Sequence, residues 1–428
     1  MASEFVIFLV MVGVFAGGCF ALSWPVSVSM LLASVAGILA GGLALAGGPL
    51  GAARHLVEGT FGYVDTILTI ATAMVFMNAV RASGALEALS AWVIKRFNRS
   101  PAVLLILLTL VAMFPGMITG SSSASVLTAG AVVAPMFALL GLPGADAAAL
   151  VAMAGILGMI APPVNIPAMI IGGGIDMPFV GFELPLLLLT IPLAVFSALW
   201  FGYRHARKMD RDKVLAALDT SALDRYGFRL FVPVILVVAL MVCDKAFPKV
   251  FNLGMPLIFA IGTVPAVFAG KRFNFLTTAK EAMDQALPVL GILVGVGMFI
   301  QVMTLTGVRG FIVVNALSVP SALLYLAIAV SMPLFGAVSA FGAASVLGVP
   351  FLLALLGKDT IVAAASLSLI AALGDFMPPT ALSAIFAAQV VGLDGYGKTL
   401  RKLILPSLLV VGWALFFIAF SKQIRSIY

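Results

Sequence analysis

Apolar residues in this chain come in runs of about twenty, the length an α-helix needs to cross a bilayer, separated by short clusters of Gly, Pro and charged residues. The pattern predicts an all-α polytopic membrane protein, because a transmembrane barrel would instead show short alternating segments. Crossings are expected at Phe5 to Leu22, at Val26 to Ala46 after a Trp24-Pro25 turn, and at Asp65 to Val80 and Leu184 to Tyr203. Phe231 to Val242, Met255 to Ala269, Leu287 to Leu305 and Leu403 to Phe420 complete the set of uninterrupted runs. Gly47 to Gly62, with Arg54, His55 and Glu58, reads as a loop. Ala85 to Phe97, with Trp92, Lys95 and Arg96, reads as an interfacial amphipathic helix, and Gly310 to Leu317 as a short helix.

Four stretches break this rhythm. The apolar run from Ala147 to Ile175 contains Gly158-Met159-Ile160-Ala161-Pro162-Pro163, and that from Thr360 to Val391 contains Gly374-Asp375-Phe376-Met377-Pro378-Pro379. Consecutive prolines remove two backbone donors and clash with the preceding turn, so each helix must break. Broken backbone inside a membrane persists only where protein or a polar cavity satisfies it. Ahead of each break lie two short apolar arms around a polar, glycine-containing tip, which predicts re-entrant hairpins at about 102–140 and 322–356. Their tips are Gly120-Ser121-Ser122-Ser123 and Ser339-Ala340-Phe341-Gly342. The chain therefore reads as two repeats, 1–203 and 230–428, joined by a polar cytoplasmic segment, 204–229. Ala138-Leu139-Leu140-Gly141 matches Ala354-Leu355-Leu356-Gly357, and Ala124-Ser125-Val126-Leu127 is aligned with Ala344-Ser345-Val346-Leu347 across a small gap. Five crossings and one hairpin per half is an odd count, which makes the second repeat inverted.

Composition agrees: 63% of residues are hydrophobic and 10% charged, far from the balance of a soluble domain. The net charge of +7 does not point to nucleic acid, because the basic residues lie between crossings. With the N-terminus outside, 17 of the 24 Lys and Arg fall on the cytoplasmic side, and both termini face out. The start Met1-Ala2-Ser3-Glu4 lacks a basic leader, so Phe5 to Leu22 reads as a retained helix although Gly17-Gly18-Cys19 faintly suggests a lipoprotein cleavage site. Two cysteines and two histidines, scattered along the chain, suggest no metal cluster. No Walker loop and no Ser/His or His/Glu pairing suggests an enzyme.

Where a hairpin tip meets a broken helix, hydroxyls and carbonyls at helix C-termini can coordinate Na⁺, and helix N-termini attract an anion. The candidate ion residues are Gly120, Ser121, Pro162, Ser339, Gly342, Ser345, Asp375 and Pro378; the candidate substrate residues are Ser122, Ser123, Asn165 and Thr380. Serines in apolar helices also serve as packing contacts. Asp375, an ionisable group within an apolar run, is a Na⁺ ligand, a proton carrier or a helix cap. Asn78 and Gln301 are intramembrane amides suited to helix–helix hydrogen bonds. A non-transporting scaffold or receptor is the rival reading, but it has no need of two breaks with polar tips.

Gly120-Ser121-Ser122-Ser123-Ala124, Pro135-Met136, Gly158 through Pro162-Pro163-Val164-Asn165-Ile166-Pro167, Thr306-Gly307 and Gly374 through Pro378-Pro379 together resemble the large membrane subunit of tripartite ATP-independent periplasmic (TRAP) transporters, within an ion-transporter superfamily. The resemblance implies secondary active import of a small organic acid, Na⁺ coupling, an elevator mechanism and a bacterial inner membrane. It also implies two partners, a small four-helix membrane subunit and a periplasmic substrate-binding protein. A proton-coupled or stand-alone organic-anion transporter or exchanger of the same superfamily is the alternative. The chain departs from the family pattern at both tips, where Ser123-Ala124-Ser125-Val126 and Ser339-Ala340-Phe341-Gly342 carry no acidic residue.

Overall fold

The computed structural model describes residues 2–216, 218–247, 249–250, 252–316, 319–355, 357–378 and 381–426. Among them the chain is helical throughout with no strand. Among the described residues, eight helices are long and apolar enough to cross a membrane, and several shorter apolar ones accompany them.

Each half contains the same sequence of irregular elements. The first hairpin descends as Pro101–Thr119, turns at Gly120 and Ser121, and returns through Ser122–Ser125, a π turn at Val126–Gly130 and Ala131–Leu139. The second descends as Ser321–Gly336 and returns through Ala340–Ala343, a π turn at Ala344–Gly348 and Val349–Ala354. The first interrupted helix has a leading arm, Gly144–Ile160, and a trailing arm, Ile166–Gly173. The second has Thr360–Ala372, a 3₁₀ turn at Leu373–Phe376 and a trailing arm, Leu382–Val391. These elements equate Val126 with Ala344, two residues away from the Val126–Val346 match suggested by the shared Ala-Ser-Val-Leu string. The string is a coincidence of small and branched residues; the π turn marks the equivalence.

Glycine fixes how each hairpin lies on its own interrupted helix. A Cβ on Gly116 would stand 2.9 Å from the Gly158 carbonyl carbon, and one on Gly158 would run into the Met113 carbonyl. A Cβ on Gly336 would stand 2.7 Å from the Gly374 Cα, and one on Gly374 would run into Gly336. Backbone crosses backbone at the matching place in both halves, an approach that only small residues permit. The trailing arms pack in the opposite sense. The first hairpin's tip helix and π turn contact Leu382–Val391 of the other half, while those of the second hairpin contact Ile166–Gly173. The halves are therefore interleaved.

Outside this unit, two stretches differ from the sequence expectation. Gly47 to Gly62 is not a loop: Gly48–Thr60 is helical and leads through a 3₁₀ turn, Phe61–Tyr63, into Val64–Ala82. Gly59 serves contact, since a Cβ on it would lie 2.8 Å from the Gly297 carbonyl of the long helix Phe275–Leu305. The polar segment 204–229 carries two short helices, Arg211–Ala216 and Ser221–Tyr226. Asn78 donates to the Met74 carbonyl at 3.0 Å and reaches Gln285 on the neighbouring helix at 3.5 Å.

Polar contacts divide the molecule into two ends. At one, Lys95 meets Asp224 at 3.9 Å, the Lys271 amide donates to the Ser83 carbonyl at 3.0 Å, and Lys402 pairs with Asp146 at 2.9 Å. At the other, Lys245 pairs with Glu183 at 3.1 Å, Arg309 with Asp176 at 3.8 Å and Arg425 with Asp359 at 3.9 Å. Each of these contacts joins positions that the charge pattern places on one side of the membrane.

Candidate functional site

The two hairpin tips are built alike. Ser121 lies at the N-terminus of the first return arm and its Oγ accepts from the Ala124 amide at 3.2 Å; Ser339 does the same in the second hairpin, accepting from Gly342 at 3.3 Å. A short side chain that accepts from the third residue onward is an ordinary N-cap, and it occupies one lone pair of each oxygen. Gly120 takes φ of +63° at the first tip, a left-handed conformation that glycine adopts without strain. A Cβ there would lie 2.5 Å from Ile166 Cγ1, so the tip rests directly on the first break.

At that break the lost helical hydrogen bonds are replaced one by one. The Val164 amide donates to the Met117 carbonyl of the hairpin at 3.1 Å. Asn165, wholly buried, accepts from the Ala168 amide at 2.9 Å through Oδ1. Its Nδ2 donates to the Ile160 carbonyl at 3.0 Å and to Ser368 Oγ, in the other half, at 2.9 Å. Both amide protons and one oxygen lone pair are thus spent inside the protein, and Pro162 beside it is also buried.

The second break differs. Asp375 stands where the first break has Met159. It is buried, and it accepts a hydrogen bond from the Ser122 hydroxyl of the first hairpin. Ser383, in the first turn of the trailing arm, lies beside the same carboxylate with no hydrogen-bond partner among the described residues. Ala381 occupies the N-cap position with φ of +39°, and its methyl group cannot accept a hydrogen bond. Pro378 is exposed, and Thr380 lies outside the described residues.

Ser122 and Asp375 are therefore brought together from opposite halves, although the sequence assigned them to different ligands. Ser123 is half-buried one residue further along the same tip. Ser345, buried, donates to the Gly342 carbonyl at 3.1 Å, and Gly342 faces Phe15 and Val26 of the outer helices. Ser368 and Ser383 went unread in the sequence. Their only signal was a hydroxyl in an otherwise apolar helix, which many packing serines share. Among the described residues, the side chains shown against Asp375 are the Ser122 and Ser383 hydroxyls, oxygen ligands of the kind a hard cation takes.

Paired hairpins leaning on paired interrupted helices, beside long apolar helices, define a multi-pass membrane transporter. The chain matches the family described as "Tripartite ATP-independent periplasmic transporter, DctM component" over residues 7–424, and it belongs to that family. It is accordingly a component of a TRAP-type secondary transporter, which handles a small-molecule substrate and works with other TRAP subunits. Among solved structures, the YdaH transporter of Alcanivorax borkumensis superposes with a TM-score of 0.63 at 17% identity, covering 86% of this chain and 87% of that one. MtrF of Neisseria gonorrhoeae, which belongs to a class of antimetabolite efflux pumps, superposes with a TM-score of 0.60 at 12% identity, covering 87% and 84%. At these identities the likeness is one of fold. No curated protein sequence matches the chain.

Proposed function

We propose that the chain is the large permease subunit of a Na⁺-coupled importer of a small organic carboxylate, working by an elevator movement. In this reading the hairpins and interrupted helices form the moving unit, and the outer helices form the scaffold. The two halves are inverted repeats. The protein sits in the bacterial inner membrane with both termini in the periplasm, beside a small four-helix subunit and a periplasmic substrate-binding protein.

The observation that carries the reading is the contact between Ser122 and Asp375, with Ser383 beside them. A carboxylate buried among hydroxyls within a membrane is costly unless a positive charge joins it. Na⁺ held by the Asp375 carboxylate and the Ser122 and Ser383 hydroxyls supplies that charge. Its arrival would tie the first hairpin to the second break, coupling ion binding to closure of the tip. Ser122 thereby belongs with the ion rather than the substrate. The substrate carboxylate faces the half-buried Ser123 and the uncapped start of Leu382–Val391, where helix amides favour an anion.

The test is uptake into proteoliposomes holding the permease with its partner subunits. Accumulation should follow an imposed Na⁺ gradient, and uptake indifferent to Na⁺ at every gradient overturns the coupling. A second reading rests on the same carboxylate: a proton could neutralise Asp375 instead. That reading fails if Asp375→Asn leaves both activity and its pH profile intact.

A further inference from the structure

At the end of the molecule that carries the central basic segment, three helices converge away from the hairpin tips. They are the first turn of Gly144–Ile160, the last turns of Glu183–Ala206 and the first turns of Gly397–Ala419. Between them lies a cavity of about 260 Å³ lined by Asp146, Trp200, Phe201, Arg204, His205 and Lys402. Asp146 is nearly buried and is neutralised by Lys402 Nζ at 2.9 Å. The Arg204 guanidinium then leaves the pocket with excess positive charge.

Aromatic residues line the same helix one turn before Arg204. Trp200 is 50% exposed and stacks on Phe196, one helical turn away, with ring centroids 5.5 Å apart. Tyr203, 44% exposed, follows on the same helix. Trp and Tyr on the outer face of a membrane protein sit at the level of the lipid headgroups. One helix face thus carries a cation at its end and, one turn deeper, an aromatic surface that is half exposed.

We propose that this pocket binds the phosphate headgroup of an anionic phospholipid from the leaflet on that side, with an acyl chain lying along Trp200 and Phe196. Basic pockets between transmembrane helices capture such headgroups through charge, and the apolar wall selects lipid over a soluble anion. Asp146 does not oppose the headgroup, because Lys402 already pairs with it.

Native mass spectrometry of the full-length chain, titrated with phosphatidylglycerol or phosphatidylcholine, tests this directly. One phosphatidylglycerol should be retained in preference to phosphatidylcholine. Arg204→Gln should weaken retention about fivefold, the effect of one basic contact with an anionic lipid. Arg207→Gln, which removes the same charge from the neighbouring surface, should leave it unchanged. Trp200→Leu should weaken retention of the lipid without creating affinity for inorganic phosphate. Equal retention of the two lipids, or equal losses in Arg204→Gln and Arg207→Gln, overturns the proposal. So does displacement of the lipid by millimolar inorganic phosphate, which would make the pocket a site for a soluble anion. Should Arg204→Gln fold poorly, Asp146→Asn with Lys402→Gln keeps the pocket's net charge and should keep the lipid; loss of preference in that variant also counts against it.

Discussion

At the first interruption the residue that follows the prolines by two places is Asn165; at the second, Ala381 holds the same place. Asn165 closes its gap from three directions, on Ala168, Ile160 and Ser368. Ala381 closes nothing with its side chain. Four residues before the prolines' second member the contrast reverses: the first break has Met159, the second Asp375, bonded to Ser122. One frame, Gly-x-x-x-Pro-Pro, has thus been finished in two ways. The first break is closed by its own amide, and the second carries a buried carboxylate held by a hydroxyl from the other half. Shared backbone geometry says little about which of two related sites carries chemistry; the side chains that satisfy the gap, or leave it open, decide it.

Substitutions can break this contrast. Asn165→Ala is expected to have the largest effect, on stability. It removes a helix cap and leaves the Ile160 carbonyl and Ser368 hydroxyl without it, together about 3 kcal/mol. Thermal unfolding of the purified protein should shift accordingly, while the fraction still folded keeps its Na⁺ dependence. A stable variant with altered Na⁺ dependence would place chemistry at the first break as well. Asp375→Asn should do the opposite, lowering Na⁺-driven uptake about a hundredfold, in line with loss of a metal ligand, at unchanged expression. Normal uptake in that variant would erase the distinction between the breaks. Ser122→Ala should raise the Na⁺ concentration for half-maximal uptake about fivefold, the worth of a hydrogen bond to a charged group. Ser345→Ala, whose hydroxyl is already engaged with Gly342, should change uptake by less than about twofold.

Helix length and interruption were legible because apolar runs and proline act locally. Pro162-Pro163 and Pro378-Pro379 remove donors wherever they occur, so the two breaks stand out in the chain. What a glycine does was harder to see. Gly59 lies in a stretch that reads as loop yet forms a helix pressed against Gly297, because a glycine chosen for close packing resembles one chosen for a turn. The π turns left no mark in composition, and the shared Ala-Ser-Val-Leu string pointed two residues away from them. Asp375 was visible as an ion within an apolar run, but its partner was not. Ser122 lies 253 residues away, and nothing local records that the first hairpin leans on the second half. The same holds for Asn165, conspicuous as an amide beside the break, whose bond to Ser368 depends wholly on that crosswise packing.

The crosswise packing also bears on how the chain is made. Asn165 and Ser368 are 203 residues apart. During synthesis the first interrupted helix reaches the membrane long before its second-half partner exists. Until then one Asn165 amide proton lacks its acceptor, and the tip of the first hairpin lacks the arm it leans on. The first half is therefore expected to stay loosely held until the second half arrives. Two separately expressed halves should assemble only when produced together, and a ribosome stalled before residue 368 should leave a nascent chain whose first break remains open to protease and, once Val164 is replaced by Cys, to thiol reagents.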